Sequence, residues 1–131
     1  MTKPLAVITG ASSGIGEATA KAFSAAGYPT LLLARRLERM EALSLPNSMC
    51  RQVDVRNRDE LVAAIREAEA EYGPTDMIFN NAGVARLADI GTQPPEDWDE
   101  MIAINTNGVM NGVYAVMGQM KERRTGTIAV S

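Results

Sequence analysis

Residues 9–16 read Thr-Gly-Ala-Ser-Ser-Gly-Ile-Gly and follow directly on the apolar run Leu5-Ala6-Val7-Ile8. The glycines Gly10, Gly14 and Gly16 have the spacing G-x-x-x-G-x-G. A buried strand that passes into a helix through such a turn makes a phosphate site. The first N–H groups of a helix lack intrahelical acceptors and sit at the positive end of its dipole. Glycine lets bare backbone approach a pyrophosphate where a Cβ would intrude. Ser12 and Ser13 add hydroxyl donors, and Gly14 and Gly16 are expected to open the helix and let it pack closely on the first strand. The spacing is neither G-x-G-x-x-G nor a P-loop, which needs Lys and then Ser or Thr after its last glycine. On this stretch alone, a tight strand-to-helix connection without ligand is the competing reading.

Composition narrows the chemistry further. The 131 residues include no histidine, which excludes a histidine base and most zinc sites. A net charge of -3 leaves no basic footprint, so no nucleic-acid partner is expected. No apolar stretch approaches the roughly 20 residues of a membrane span, and the start MTKPLAVITG lacks the pattern of a secretion signal. The single cysteine, Cys50, cannot form an internal disulfide and fits a reducing, cytoplasmic setting.

The elements that must position the glycine loop alternate between short apolar runs and amphipathic stretches, the pattern of βαβ units and a parallel sheet. Strands are expected at 5–10, 29–35, 49–55, 76–83 and 126–131, and several are apolar on consecutive residues, as in strands covered on both faces. Helices are expected at about 14–26, 37–44, 58–72, 95–104 and 107–123. The third has a capping-box start, Asn57 with Glu60, an apolar stripe of Leu61, Ile65, Ala68 and Tyr72, and a Gly73-Pro74 stop. The last carries two adjacent stripes, Val109, Val113, Val116 and Met120 beside Met110, Tyr114 and Met117. Without repeats or linkers, 1–131 is expected to be one domain.

Three ordered motifs resemble the short-chain dehydrogenase/reductase family. TGASSGIG is similar to its nucleotide-binding signature T-G-x-x-x-G-x-G, NNAG at 80–83 resembles its second signature, and Asn105 in WDEMIAINTNG sits where the family carries a catalytic asparagine. The resemblance implies a Rossmann-like doubly wound sheet of order 3-2-1-4-5, with a nicotinamide dinucleotide across the carboxyl ends of the strands. It also implies that Gly10, Ser12, Ser13, Gly14, Ile15 and Gly16 cradle the phosphates and that Asp54 and Val55 meet the adenine. Asn81, Ala82 and Gly83 then face the adenosine and its ribose, while Asn80 ties neighbouring strands together.

The residue ending the second strand of such a sheet faces the adenosine ribose. Ala34-Arg35-Arg36 stands there, without the acid that would bind a 2′-hydroxyl. Two guanidinium groups suit a 2′-phosphate through charge-assisted hydrogen bonds, so NADP(H) is the expected cofactor. Two solvated arginines at the head of a helix are the plainer alternative.

In the resembled family a tyrosine exchanges the proton, a lysine four residues on lowers its pKa, a serine binds the substrate oxygen and an asparagine keeps a relay water in place. Tyr28, Tyr72 and Tyr114 are followed at that distance by Leu32, Asp76 and Gly118, so the pair is not in these residues. Ser131 lies near the serine's place but a residue or two out of register, and it is left unassigned. The expectation is an NADP(H)-dependent oxidoreductase acting on a small alcohol or carbonyl compound, with a sequence that continues past Ser131. The fifth strand would otherwise end the sheet as an unpaired edge. The competing readings are a non-catalytic NADPH-binding sensor or regulatory module, and an interaction protein using the wide apolar face of helix 107–123. The family resemblance implies a homodimer or homotetramer built through that helix.

Overall fold

The computed structural model describes residues 2–131. Five strands, β1 (Leu5–Thr9), β2 (Thr30–Ala34), β3 (Ser48–Gln52), β4 (Thr75–Asn80) and β5 (Thr127–Val130), form one sheet of order β3-β2-β1-β4-β5. Every neighbouring pair is parallel. All residues of β1 and β2 are buried, which is why they are apolar without alternation. Leu5, Val7, Leu31 and Leu33 pack with Leu61, Ile65, Val116 and Met120 on one face. Ile8 and Leu32 pack with Ala20 and Met40 on the other. Helices α3 (Arg58–Tyr72) and α5 (Gly108–Arg123) therefore cover one side, and α1 (Gly14–Ala25) and α2 (Leu37–Glu41) the other. This is the expected doubly wound, Rossmann-like arrangement.

Asn57 caps α3 by accepting from the Glu60 N–H at 3.1 Å. The other half of the capping box is replaced, because the Asn57 N–H donates to the Asp54 carbonyl at 2.9 Å. Leu61, Ala64, Ile65 and Ala68 bury the expected stripe, and Gly73, at φ +91°, ends the helix.

Several expected boundaries shift. β3 runs over 48–52 instead of 49–55, since beyond Gln52 the chain turns and Asp54 and Val55 sit in the loop to α3. β4 stops at Asn80, leaving Asn81 to Gly83 irregular, and α2 is a single short turn-and-a-half. The expected break between 104 and 107 is absent. Helix α4 (Pro95–Ile102) passes through a π-helical segment, Ala103–Asn107, directly into α5. The Asn-Thr-Asn run absorbs its poor helix propensity as a wider turn instead of a break.

On α5, Val116 and Met120 are buried and Val109 and Val113 half-buried, whereas Met110 (60%), Tyr114 (66%) and Met117 (47%) remain exposed. Gly112 lets α5 approach β4, since a Cβ there would overlap the Asn80 side-chain oxygen. Glu69 of α3 ties three elements together. It accepts from the Thr75 N–H (3.1 Å) and hydroxyl (2.8 Å) on β4, from Gln119 on α5, and from Arg66 of its own helix at 2.8 Å.

Candidate functional site

At the carboxyl ends of the strands lies a cavity of about 470 Å³. Gly10, Ser12, Ser13, Arg35, Arg36, Asp54, Val55, Asn81, Ala82 and Gly83 line it, and Leu33, Ala34, Val53 and Ile104 add an apolar wall. Ten of the residues singled out from the sequence therefore share one cavity.

The floor of this cavity is built from backbone. Gly10 has φ +64°, and a Cβ there would lie 2.9 Å from the backbone N and Cα of Ala82. At Gly16 a Cβ would collide with the Gly10 carbonyl and lie 2.7 Å from Asn81 Nδ2. The close packing expected of Gly14 and Gly16 thus belongs to Gly10 and Gly16. Gly14 has open space around it and answers instead to its left-handed φ of +55°. Ile15 is exposed beside the loop, and Ser13 begins α1 without a side-chain cap. The first N–H groups of that helix therefore take no acceptor from the Ser13 side chain.

Thr9, the first residue of the T-G-x-x-x-G-x-G signature, holds the two signatures together. Its hydroxyl oxygen accepts from the N–H groups of both Asn81 and Ala82 at 3.0 Å. Asn81 Nδ2 donates back to the Gly10 carbonyl at 3.3 Å. The signature includes Thr9, but its role as a shared acceptor is visible only in the fold. Asn80 Nδ2 donates to the Ala129 carbonyl of β5 at 3.4 Å, the strand-tying role expected of it.

The two arginines diverge. Arg36 Nη2 lies at 3.5 Å from the hydroxyls of both Ser12 and Ser13. Arg35 forms no side-chain hydrogen bond among the described residues, and its charge acts on Asp54 and Glu100. Both arginines line the cavity, and Arg36 is the one beside the serine hydroxyls.

Asp54 is already engaged. Its carboxylate accepts from the Arg56 N–H and Nε at 3.0 Å and from Nη2 at 2.6 Å. Arg56 holds the Asp54 carboxyl below its ordinary range against a smaller opposing effect of burial. The loop carrying Asp54 and Val55 is fixed from α5, where Asn111 Nδ2 donates to the Val55 carbonyl at 2.8 Å and Oδ1 accepts from Arg58 Nε at 3.0 Å. Asn111 was not anticipated, although a buried amide within an apolar helix face is a detectable signal.

Asn105 stands in the π-helical segment and faces a second cavity of about 360 Å³. Asn81, Ala82, Gly83 and Val84 border both cavities. Ser131 also lines the second one, with its hydroxyl donating to Asn81 Oδ1 at 3.0 Å. Tyr28, Tyr72 and Tyr114 line neither cavity. Among the described residues no cluster of three or more His, Cys, Asp and Glu could hold a metal ion, and no helix is long and apolar enough to cross a membrane.

A cleft over glycine backbone, at the carboxyl edge of a parallel sheet, defines a nucleotide-binding α/β protein. The sequence model of the short chain dehydrogenase family matches residues 4–130, and the chain belongs to that family. It is 36% identical over 126 residues to an uncharacterized oxidoreductase of Staphylococcus saprophyticus, covering 93% of this chain and 51% of that protein. It is 34% identical over 132 residues to the NADP-dependent 3-hydroxy acid dehydrogenase YdfG of Salmonella typhimurium, covering 95% and 52%. An alcohol dehydrogenase from the archaeon Thermococcus sibiricus, complexed with 5-hydroxy-NADP, superposes with a TM-score of 0.88 at 29% identity, covering 97% of this chain and 57% of that one. The chain spans about half the length of the curated relatives it matches.

Proposed function

We propose that this chain is the cofactor-binding portion, as a single domain, of an NADP(H)-dependent oxidoreductase that interconverts a small alcohol and its carbonyl compound. The observation that carries the cofactor choice is Arg36, which stands over Ser12 and Ser13 at the cavity mouth with no carboxylate at the end of β2. A guanidinium between two hydroxyls is a donor cluster suited to a phosphate dianion, and an acid there would repel one. The NADP dependence printed for YdfG and the NADP analogue bound to the Thermococcus enzyme point the same way.

The residues fit a dinucleotide, because the glycine turn, both arginines, Asp54 and Asn81 to Gly83 line one cavity at the carboxyl ends of the strands. In this reading the turn from Gly10 to Gly16, with Ile15 among its exposed residues, receives the pyrophosphate. Asp54 and Val55 receive the adenine, and Asn81 to Gly83 receive the adenosine ribose. When bound, the nicotinamide supplies hydride chemistry. Asn105 is read as the one catalytic residue of the present sequence, holding the chain at Val84 so that a relay water has a fixed place. The small-molecule substrate meets the second cavity, between Asn105 and Ser131.

NADPH and NADH titrations of the parent and of Arg36→Ala test the reading. The parent binds NADPH more tightly, and the variant loses about ten- to a hundredfold in NADPH affinity, the range for a hydrogen bond to a charged group. Equal binding of both coenzymes by the parent would reject the 2′-phosphate assignment. The exposed Met110, Tyr114 and Met117 stripe supports assembly as a homodimer or homotetramer, and a solution mass equal to one chain at high concentration would count against it.

A further inference from the structure

We infer that Asn111 of α5 is a positioning residue for the adenosine end of the cofactor, holding Val55, and with it a wall of the large cavity, from outside. The inference rests on the NADP(H) reading above and adds to it a residue that borders neither cavity.

Val55 lines the large cavity beside Val53 and Asp54 and is otherwise buried. Two main-chain bonds secure its loop without engaging Val55 itself. The Val53 N–H donates to the Ala34 carbonyl at 3.1 Å, and the Asn57 N–H to the Asp54 carbonyl at 2.9 Å. Val55 is instead gripped from α5 at two points. Asn111 Nδ2 donates to its carbonyl at 2.8 Å, across 56 positions of sequence. One turn earlier on α5, the Val55 side chain fills the space beside Gly108. A Cβ there would lie 2.6 Å from Val55 Cγ2 and 3.2 Å from Val55 Cβ. Positions 108 and 111 share one helix face, so a single surface holds both the carbonyl and the side chain.

An amide is a demanding way to fill that helix face. Asn111 is 5% exposed, and a polar side chain so buried has to find partners for its donor and its acceptor. An apolar side chain of similar size would pack there without that requirement. What the amide adds is direction, since a hydrogen bond fixes the distance and angle of the Val55 carbonyl relative to α5. Arg58, the first residue of α3, orients the amide in turn by donating from Nε to Oδ1 at 3.0 Å. Val55 is β-branched and stiff, so fixing its backbone also fixes the side chain. A purine lying on a wall that is already in place does not have to order it, and binding is tighter by that amount.

The test measures binding of NADPH and of adenosine 2′,5′-bisphosphate to the parent chain, Asn111→Leu, Gly108→Ala and Glu69→Gln, with urea unfolding to show that each is folded. Asn111→Leu removes the bond at similar size and weakens both ligands by the same factor, about three- to tenfold. Gly108→Ala gains helix propensity but sets a methyl against Val55, and it also weakens both ligands. Glu69→Gln loosens the contacts of α3 with β4 and α5 away from the cavity, and it leaves both affinities at the parental value. The inference is overturned if folded Asn111→Leu binds the bisphosphate as the parent does. Should that variant not fold, parental binding by Gly108→Ala overturns it equally. It is also overturned if Glu69→Gln loses as much affinity as these two, which marks a merely structural effect, or if NADPH is weakened and the bisphosphate is not. A parent that binds NADH and AMP in their place rejects only the 2′-phosphate, and the variants are then compared on AMP with the same expectation. Binding of no nucleotide to the folded parent removes the NADP(H) reading, and this inference with it.

Discussion

Asn105 and Val84 close a reciprocal pair of hydrogen bonds. Asn105 Oδ1 accepts from the Val84 N–H at 2.8 Å, and Nδ2 donates to the Val84 carbonyl at 2.7 Å. The amide thus imitates a neighbouring strand for a segment that has just left β4. The π-helical turn carries the side chain to that segment, and the rim between the two cavities depends on the result.

Replacing Asn105 by Ala removes both bonds and is expected to cost about 1–3 kcal/mol, since partly exposed backbone groups regain water. Asn105→Asp keeps the acceptor and loses the donor, and should fall between. Urea unfolding gives the stabilities, and amide exchange at Val84 should accelerate in the alanine variant. Unchanged exchange there would contradict the clamp.

Thr9 makes a sharper case, because its oxygen serves two buried-side amides at once. Thr9→Val preserves the β-branched shape that suits a strand but leaves the Asn81 and Ala82 N–H groups without their acceptor. A loss of about 1–3 kcal/mol is expected from the unsatisfied donors, whereas Thr9→Ser should retain most of the stability. If Thr9→Val and Thr9→Ser unfold at the same denaturant concentration, the hydroxyl is not what joins the two loops.

Glu69 makes stability depend on pH. Burial alone would raise its pKa, but hydrogen bonds from Gln119, Thr75 and Arg66 together outweigh burial and hold it below the ordinary glutamate value. The unfolded chain therefore binds this proton more readily than the folded one, near the usual pKa of about 4.3. The stabilisation is present above that pH and disappears as the pH falls through the lower folded value. In Glu69→Gln the drop in unfolding free energy between pH 6 and the acid limit should be shallower than in the parent. Parallel profiles for the two proteins would show that Glu69 does not couple to folding.

Much of the architecture was legible because it follows from local patterns. Continuous apolar runs in β1 and β2 indicate strands covered on both sides, and the stripe of α3 with its Asn57 cap identifies a helix that packs along one face. The glycine spacing marked the turn from β1 into α1, where close backbone packing leaves no room for a Cβ at Gly10 or Gly16. Boundaries were less legible where a contact from elsewhere decided them. The chain from Pro95 to Arg123 stays helical because a π turn accommodates Asn105 to Asn107, which propensity alone reads as a break.

The sequence by itself determined the order of elements, the glycine turn, the absence of a histidine base and the presence of two arginines after β2. Those are properties of residue type and spacing along the chain. Only the tertiary structure separated Arg36 from Arg35, paired Asp54 with Arg56, and joined Thr9 to Asn81 across 72 positions. Such partners are chosen by distance and hydrogen-bond direction after the sheet has assembled, and neither quantity is written in a linear pattern.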